Sequence, residues 1–302
     1  MSSPLIAIVG GTGLLGRHLQ SELSRHGLDM IVLSRNRPET TNSDWLRLPD
    51  DPADLTRTFS ACDAVVNLAA QRSPMGGVEP QLANTLLVSK VLDAAADAGV
   101  RAFVNASSIS VYGTGGSLPW PESVKPHPNS YYGIMKLAGE FLVERRAVDF
   151  DACVNLRLAH LFGEGEHNNY MINRFMRLAY NKLPLPLNAP AIAERDFLYA
   201  GEAARAIRLS LAQRRVRGTL NIGSGVGLTN LDVAMAVNEG FRSRAGTVMA
   251  DSTATEGIKS SVMNVARAAS EIDFVSRISM LEAMSAISEG MRRRGGDVPI
   301  DY

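Results

Sequence analysis

Residues 9–19 read VGGTGLLGRHL, and this stretch decides the fold. Gly10, Gly13 and Gly16 follow the apolar run LIAIV (residues 5–9) and open a segment of helical period that reaches about His26. A strand that ends in spaced glycines and turns directly into a helix meets three demands of a bound dinucleotide. It gives a tight turn, a backbone close enough for a pyrophosphate at the helix N-terminus, and close packing of helix on strand. A glycine pattern by itself is weak; the strand before it and the amphipathic helix after it carry the reading.

Working outward, short apolar runs alternate with longer helical segments. MIVL is followed by a helix around ADLTRTF, AVVNLAA by a long helix from about Val78 to Ala98, and RAFVNAS by the helix of NSYYGIMKLAGE and then ACVNLRL. This βαβα rhythm predicts a Rossmann-type α/β fold, a doubly wound parallel sheet with helices on both faces. The rhythm breaks from about Phe162 to Glu194, where the polar loop GEGEHNN, one helix and the proline-bearing LPLPLNAP fit no further buried strand. RDFLY and GTLNIG are strand-like and are expected to rejoin the main sheet. The organisation expected is a nucleotide-binding domain of residues 1–160 plus 195–227, and a smaller, discontinuous substrate-binding lobe of residues 161–194 plus 228–302.

Composition narrows the function. The 302 residues carry 31 basic and 31 acidic side chains, which gives no footprint for nucleic acid. The runs RRVR and MRRR read as solvated helix ends. The two cysteines, Cys62 and Cys153, sit in apolar segments and read as buried thiols rather than a disulfide framework. His160 and His167 have no partner at a metal-ligand spacing, so no metal site is expected. MSSPLIAIVGG lacks the basic start and long apolar run of a signal or membrane span, so a cytoplasmic protein without membrane contact is expected.

The end of the second strand bears on the choice of cofactor. An acidic residue there bonds a ribose 2′-hydroxyl, whereas arginine suits a 2′-phosphate. The chain reads VLSRNRPE, with Ser34, Arg35, Asn36 and Arg37 and no acid at the strand end. NADP(H) is therefore expected, with NAD(H) possible if Arg35 only stacks on adenine or faces solvent.

Tyr132 and Lys136 stand four apart on a helix and share a face. An ammonium beside a phenol favours the phenolate, so Tyr132 can exchange a proton with a substrate oxygen while hydride moves at the adjacent carbon. Tyr131 has Met135, not a lysine, at the same spacing. Ser107 and Ser108 fall at the carboxyl end of a parallel strand, where open α/β sheets bind ligands, and a hydroxyl there can steady charge on the same oxygen.

The pieces GGTGLLG, CDAVVNLAA, NASSISVYG, YYGIMK with LAGE, LRLAHLFGEG, RDFLYAGEAARAI and NIGSG occur in one order over roughly residues 5 to 225. Together they resemble the extended short-chain dehydrogenase/reductase family, in its NAD(P)-dependent epimerase/dehydratase branch. The resemblance implies Tyr132 as catalytic acid/base, Lys136 as its ribose-binding partner and Ser108, four residues before Tyr112, as the polarising hydroxyl. Asn84 matches a family asparagine, with helix packing as the alternative. Expected cofactor contacts are Gly10, Gly13, Leu14, Leu15, Gly16, Arg35, Arg37, Asp50, Leu68, Ala69 and Ala70 beside Tyr132 and Lys136, and Asp63 lies in the same cofactor-side segment as Ala69. Arg195 matches an arginine that contacts the diphosphate of sugar nucleotides; a salt bridge with Asp196 or Glu202 is its alternative. Arg72, Asn168, Asn169 and Arg174 are substrate candidates by position alone, and a homodimer through two outer helices is a further implication.

Departures from the family pattern narrow the chemistry. Dehydratases place acidic side chains just after the active serine or threonine, where this chain has Ile109 and Ser110. Related epimerase-reductases place a cysteine at the position of Ile109. Hydride transfer remains, and Arg35 favours an NADPH-dependent reductase of a 4-keto-6-deoxy sugar nucleotide. The alternatives are a sugar-nucleotide 4-epimerase with tightly held NAD, an NADPH reductase of a non-sugar ketone or aldehyde, and a non-catalytic NADP(H) sensor.

Overall fold

The computed structural model describes residues 4–37, 44–70, 78–113, 116–166, 168–188, 191–249, 259–293 and 295. In chain order the elements are β1 (Leu5–Val9), α1 (Leu14–Arg25), β2 (Asp29–Ser34), β3 (Asp44–Arg47), α2 (Pro52–Phe59), β4 (Ala64–Asn67), α3 (Val78–Asp97), β5 (Ala102–Ser108), α4 (Tyr131–Arg146), β6 (Ala152–Leu158) and β7 (His160–Phe162). There follow α5 (Met171–Tyr180), β8 (Leu185–Leu187), β9 (Arg195–Tyr199), α6 (Ala200–Ala212), β10 (Arg217–Ile222), β11 (Gly227–Leu228), α7 (Asn230–Gly240), β12 (Thr247–Met249), α8 (Ala266–Ile272) and α9 (Met280–Arg293).

Seven strands form one sheet in the order β10-β6-β5-β4-β1-β2-β3, and every pairing in it is parallel. The strand order reverses between β1 and β4, so the carboxyl ends of these two strands frame the crevice in which such sheets hold ligands. One face of the sheet packs on α1 and α6 through Ile8, Val66, Val104, Leu19 and Ile207; the other packs on α2, α3 and α4 through Val9, Val65, Phe103, Phe59, Val91 and Val143. The strand centres are apolar on both faces because both faces are covered. A third core joins Phe162, Phe175, Leu185, Leu187, Val237, Phe241 and Ile287.

Three expectations need correction. RDFLY does not rejoin the main sheet: β9 lies in a separate three-stranded sheet, order β11-β9-β7. Only GTLNIG, as β10, returns to the main sheet, beside β6. LPLPLNAP does contain a short strand, β8, which pairs parallel with β12 and buries Leu185 and Leu187 on either side of Pro186. A proline is tolerated there because the ladder has two strands and one side of each is unpaired. The arginine runs are also more than solvated ends: Arg217 donates to the Ala147 and Phe150 carbonyls, and Arg292 to the Phe241 carbonyl at 3.1 Å. Both cysteines are buried and unpaired, and burial pushes the Cys62 thiol up to about 11 and the Cys153 thiol up to about 12.

Candidate active site

At the carboxyl edge of the sheet lies a cleft of about 830 Å³. Its floor begins with the glycine loop. Gly10 has φ +82°, and a Cβ there would lie 2.6 Å from the Ala69 backbone, so the loop and the end of β4 approach as only glycine allows. Gly16 lets α1 pack on the loop, since a Cβ would come 2.2 Å from the Gly11 carbonyl oxygen. The loop fits a pyrophosphate. The N-terminus of α1 has no side-chain cap, and a Cβ on Gly13 would meet nothing nearer than the Gly10 oxygen at 3.7 Å, leaving open space before the helix N–H groups. Arg17 ties this loop to the segment after β7, donating to the Thr12 carbonyl at 2.8 Å and the Gly165 carbonyl at 2.6 Å.

At the end of β2, Ser34, Arg35 and Asn36 line the cleft. The Ser34 hydroxyl accepts from the Trp45 indole at 2.8 Å and donates to the Asn36 carbonyl at 2.6 Å. That pair of bonds fixes the turn and leaves the Arg35 guanidinium exposed. Arg37 is not brought to the cleft; it stacks over the Trp45 ring at 5.9 Å. Asp50 is also outside the lining residues, with a solvent-facing carboxylate 3.9 Å from Arg47. Asp63 lies at the opposite end of the sheet, accepting from the Leu5 N–H at 3.0 Å and from Arg101 at 2.7 Å.

The middle of the cleft brings together Ser108, Tyr132, Lys136 and Asn84 with Leu68, Ala69 and Ala70. Ser108 ends β5, and its hydroxyl caps the following 3₁₀ turn, accepting from the Ser110 N–H at 3.1 Å and donating to the Ser110 hydroxyl at 3.1 Å. Ser130 caps α4 by accepting from the Gly133 N–H, which starts the helix so that Tyr132 stands in its first turn. Lys136 is buried; its ammonium donates to the Ala106 carbonyl at 2.6 Å and lies 5.8 Å from the centre of the Tyr132 ring. The Asn84 amide donates to Gln81 at 3.0 Å, a bond along α3 that accompanies its place in the cleft.

Arg195, Phe197, His160, Tyr170, Met171 and Ile172 form the far end. Neither expected partner of Arg195 is idle: Asp196 accepts from the backbone of Ser224 and Gly225, and Glu202 pairs with Arg205 at 2.9 Å. Burial, with the nearby Arg195 charge, holds His160 down to about 4, so its ring is neutral near pH 7; one nitrogen meets the Ser261 hydroxyl at 3.2 Å. Asn168 accepts from the Tyr170 N–H and the Asn173 amide, Asn169 accepts from Arg177, and Arg174 is exposed; none of the three lines the cleft. Arg72 and His167 lie outside the described residues.

Sequence reasoning missed Ser110, Ser130, His160, Tyr170 and Phe197 as cleft residues. His160 carried a signal, since it lies two residues past the end of β6 at the ligand-binding edge. Among the described lining residues Arg35, Lys136 and Arg195 carry the charge and no carboxylate appears, a field suited to a ligand with several phosphates.

A doubly wound sheet with a glycine-loop crevice and a serine, tyrosine and lysine converging on it defines a nucleotide-dependent enzyme of the short-chain dehydrogenase/reductase type. Residues 6–223 match the family described as the NAD dependent epimerase/dehydratase family, and the chain belongs to it. The crystal structure of UDP-N-acetylglucosamine 4-epimerase from Bacillus cereus is 36% identical, with TM-score 0.89, covering 99% of this chain and 100% of that one. The dTDP-4-dehydrorhamnose reductase of Salmonella typhimurium (strain LT2) is 30% identical over 81% of this chain and 80% of its own. The match to the Low-salt glycan biosynthesis protein Agl12 of Haloferax volcanii is 29% identical and spans 59% of each protein. Among the described residues no helix is long and apolar enough to cross a membrane, and no group of side chains could hold a metal ion.

Proposed function

We propose that the protein moves hydride at a sugar carbon of a nucleoside-diphosphate sugar, acting as an NADPH-dependent reductase of a 4-keto-6-deoxy sugar nucleotide. The observation that carries this reading is the end of β2: Arg35 is exposed at the cleft, on a turn fixed by Ser34 and Trp45, and no carboxylate is among the described residues that line the cleft. A 2′-phosphate would find a guanidinium there, and among the described lining residues a free 2′-hydroxyl would find no acidic acceptor. When bound, the nicotinamide supplies the hydride. In this reading Tyr132 gives a proton to the ketone oxygen, Ser108 donates a hydrogen bond to that oxygen, and Lys136 holds the ribose and favours the tyrosinate left behind. Arg195 at the far end meets the substrate diphosphate.

The absence of carboxylates among the described lining residues argues against elimination, which needs an acid for the departing hydroxyl and a base for a carbon-bound proton. A second reading, a 4-epimerase that retains NAD, is favoured by the full-length likeness to the Bacillus cereus 4-epimerase. Offering purified protein a nucleoside-diphosphate 4-keto-6-deoxy sugar with NADPH separates the two. Stoichiometric loss of absorbance at the nicotinamide band supports the reductase. Interconversion of two 4-hydroxy epimers without added cofactor sinks it in favour of the epimerase.

The capping lobe of residues 161–194 plus 228–302 and a homodimer through the outer faces of α3 and α4 belong to the same proposal. Exposed apolar side chains gather on these two helices, Leu82 and Leu86 on α3 with Ile134 and Phe141 on α4, of which Leu86 and Phe141 are 62% and 61% exposed. Two buried, unpaired thiols suit a reducing compartment, and we assign the protein to the cytoplasm.

A further inference from the structure

Beneath the cleft lies a buried polar cluster that none of the proposed chemical steps uses. Glu140 is 4% exposed and follows Lys136 on α4 by four residues, about one turn. Its carboxylate accepts two bonds from Arg157 Nε, at 3.0 and 3.3 Å, one from Arg157 Nη2 at 2.8 Å, and one from the Ser107 hydroxyl. Its backbone carbonyl accepts from the Asn155 amide at 3.3 Å. Asn155 in turn accepts from Asn105 at 2.8 Å, and Asn105 from Asn67 at 3.0 Å, a ladder across three adjacent strands. Behind Arg157, Tyr112 stacks on the guanidinium at 4.7 Å and donates to Asn221 at 2.7 Å.

A buried ion pair is a poor device for stability alone, because desolvation cancels most of its attraction and apolar replacements often do as well. What this cluster does distinctively is geometric. Ser107 is the residue before Ser108, so one end of the joint sits on the strand that carries the hydroxyl. Glu140 places the other end on the helix that carries Tyr132 and Lys136. Catalysis by two groups on one oxygen tolerates little error in their relative placement.

We propose that Glu140 is a positioning residue, its carboxylate the joint that holds the Ser108 strand and the Tyr132–Lys136 helix in register. This rests on Ser108, Tyr132 and Lys136 being the catalytic set.

The test reads the ionisation of Tyr132 directly and needs no substrate: phenolate absorbance is followed against pH, and the Tyr132→Phe protein is subtracted as the blank. The comparison uses wild type, Ser107→Ala, and the double variant Glu140→Gln/Arg157→Met, which removes both buried charges so that neither is stranded. In wild type Tyr132 should ionise below the ordinary tyrosine value of about 10. In the double variant the midpoint should move up by roughly one unit as Lys136 drifts from the ring. Ser107→Ala, which keeps the ion pair and the fold, should move it the same way by less. Unshifted midpoints in both folded variants, with only a lowered melting temperature, overturn the positioning role. If the double variant does not fold, Ser107→Ala decides, and an unshifted midpoint there counts against the joint. An ordinary midpoint in wild type itself overturns the catalytic set, and the joint with it.

Discussion

Lys136 lies 5.8 Å from the Tyr132 ring centre, on the same face of α4, within the cleft that Ser108 also enters. Tyr132→Phe removes only the hydroxyl, so the expected loss is about 10²–10⁴-fold in turnover with NADPH affinity within a few-fold, read by steady-state kinetics and fluorescence titration. This pair was legible because spacing of four on a helix leaves little freedom. Arg37 and Asp50 were not, because the direction of an exposed side chain depends on neighbours such as Trp45 that no local pattern reveals. His18 and His160 carry a further consequence. Burial holds both down to about 4, against an ordinary value of 6.5. Between these values the unfolded chain binds more protons than the folded one, so stability is full above about pH 6.5 and falls as pH drops towards 4. The urea midpoint should therefore be lower at pH 5 than at pH 7, and His160→Asn should shrink the difference; an equal difference in that variant refutes the role of His160.

At the level of elements, the glycine loop and α1 act as one piece. A methyl on Gly16 would press into the Gly11 backbone, and neither partner is a flexible side-chain end that can swing aside. Gly16→Ala should destabilise the protein by about 1–3 kcal/mol, seen as a lowered denaturation midpoint, and weaken cofactor binding at least tenfold. The long, periodic elements that build this region were readable: α1, α3, α4 and the six buried strands carry enough apolar repeats to declare themselves. The small ones were not. β3 is a four-residue edge strand with three exposed positions, and β8 and β12 are three residues each, too short for alternation to appear. β9 looked like a strand and is one, but which sheet a strand joins is settled by tertiary pairing rather than by its own residues.

For the whole molecule, three cores surround the cleft, one on each face of the sheet and one built from α5, α7, α9 and their short strands. The family and its central sheet could be read from motif order, whereas the third core is drawn from segments scattered between residues 162 and 291 and has no comparable signature. If α3 and α4 form the proposed dimer face, Leu86→Glu/Phe141→Glu should halve the mass seen by sedimentation while leaving the helical spectrum intact. A wild-type protein that sediments as a monomer removes that face from consideration. The charge pattern of the cleft, three cations and no carboxylate among the described residues, makes cofactor choice the feature on which the functional reading turns. The most direct measurement is to denature freshly purified protein and identify any released nucleotide, with NADPH and NADH affinities of the native protein measured in parallel. The reductase reading expects an empty site that binds NADPH at least tenfold more tightly than NADH, with the preference reduced by Arg35→Ser. Stoichiometric NAD(H) that survives purification contradicts it and establishes instead an enzyme that keeps its cofactor through the reaction, as a 4-epimerase does.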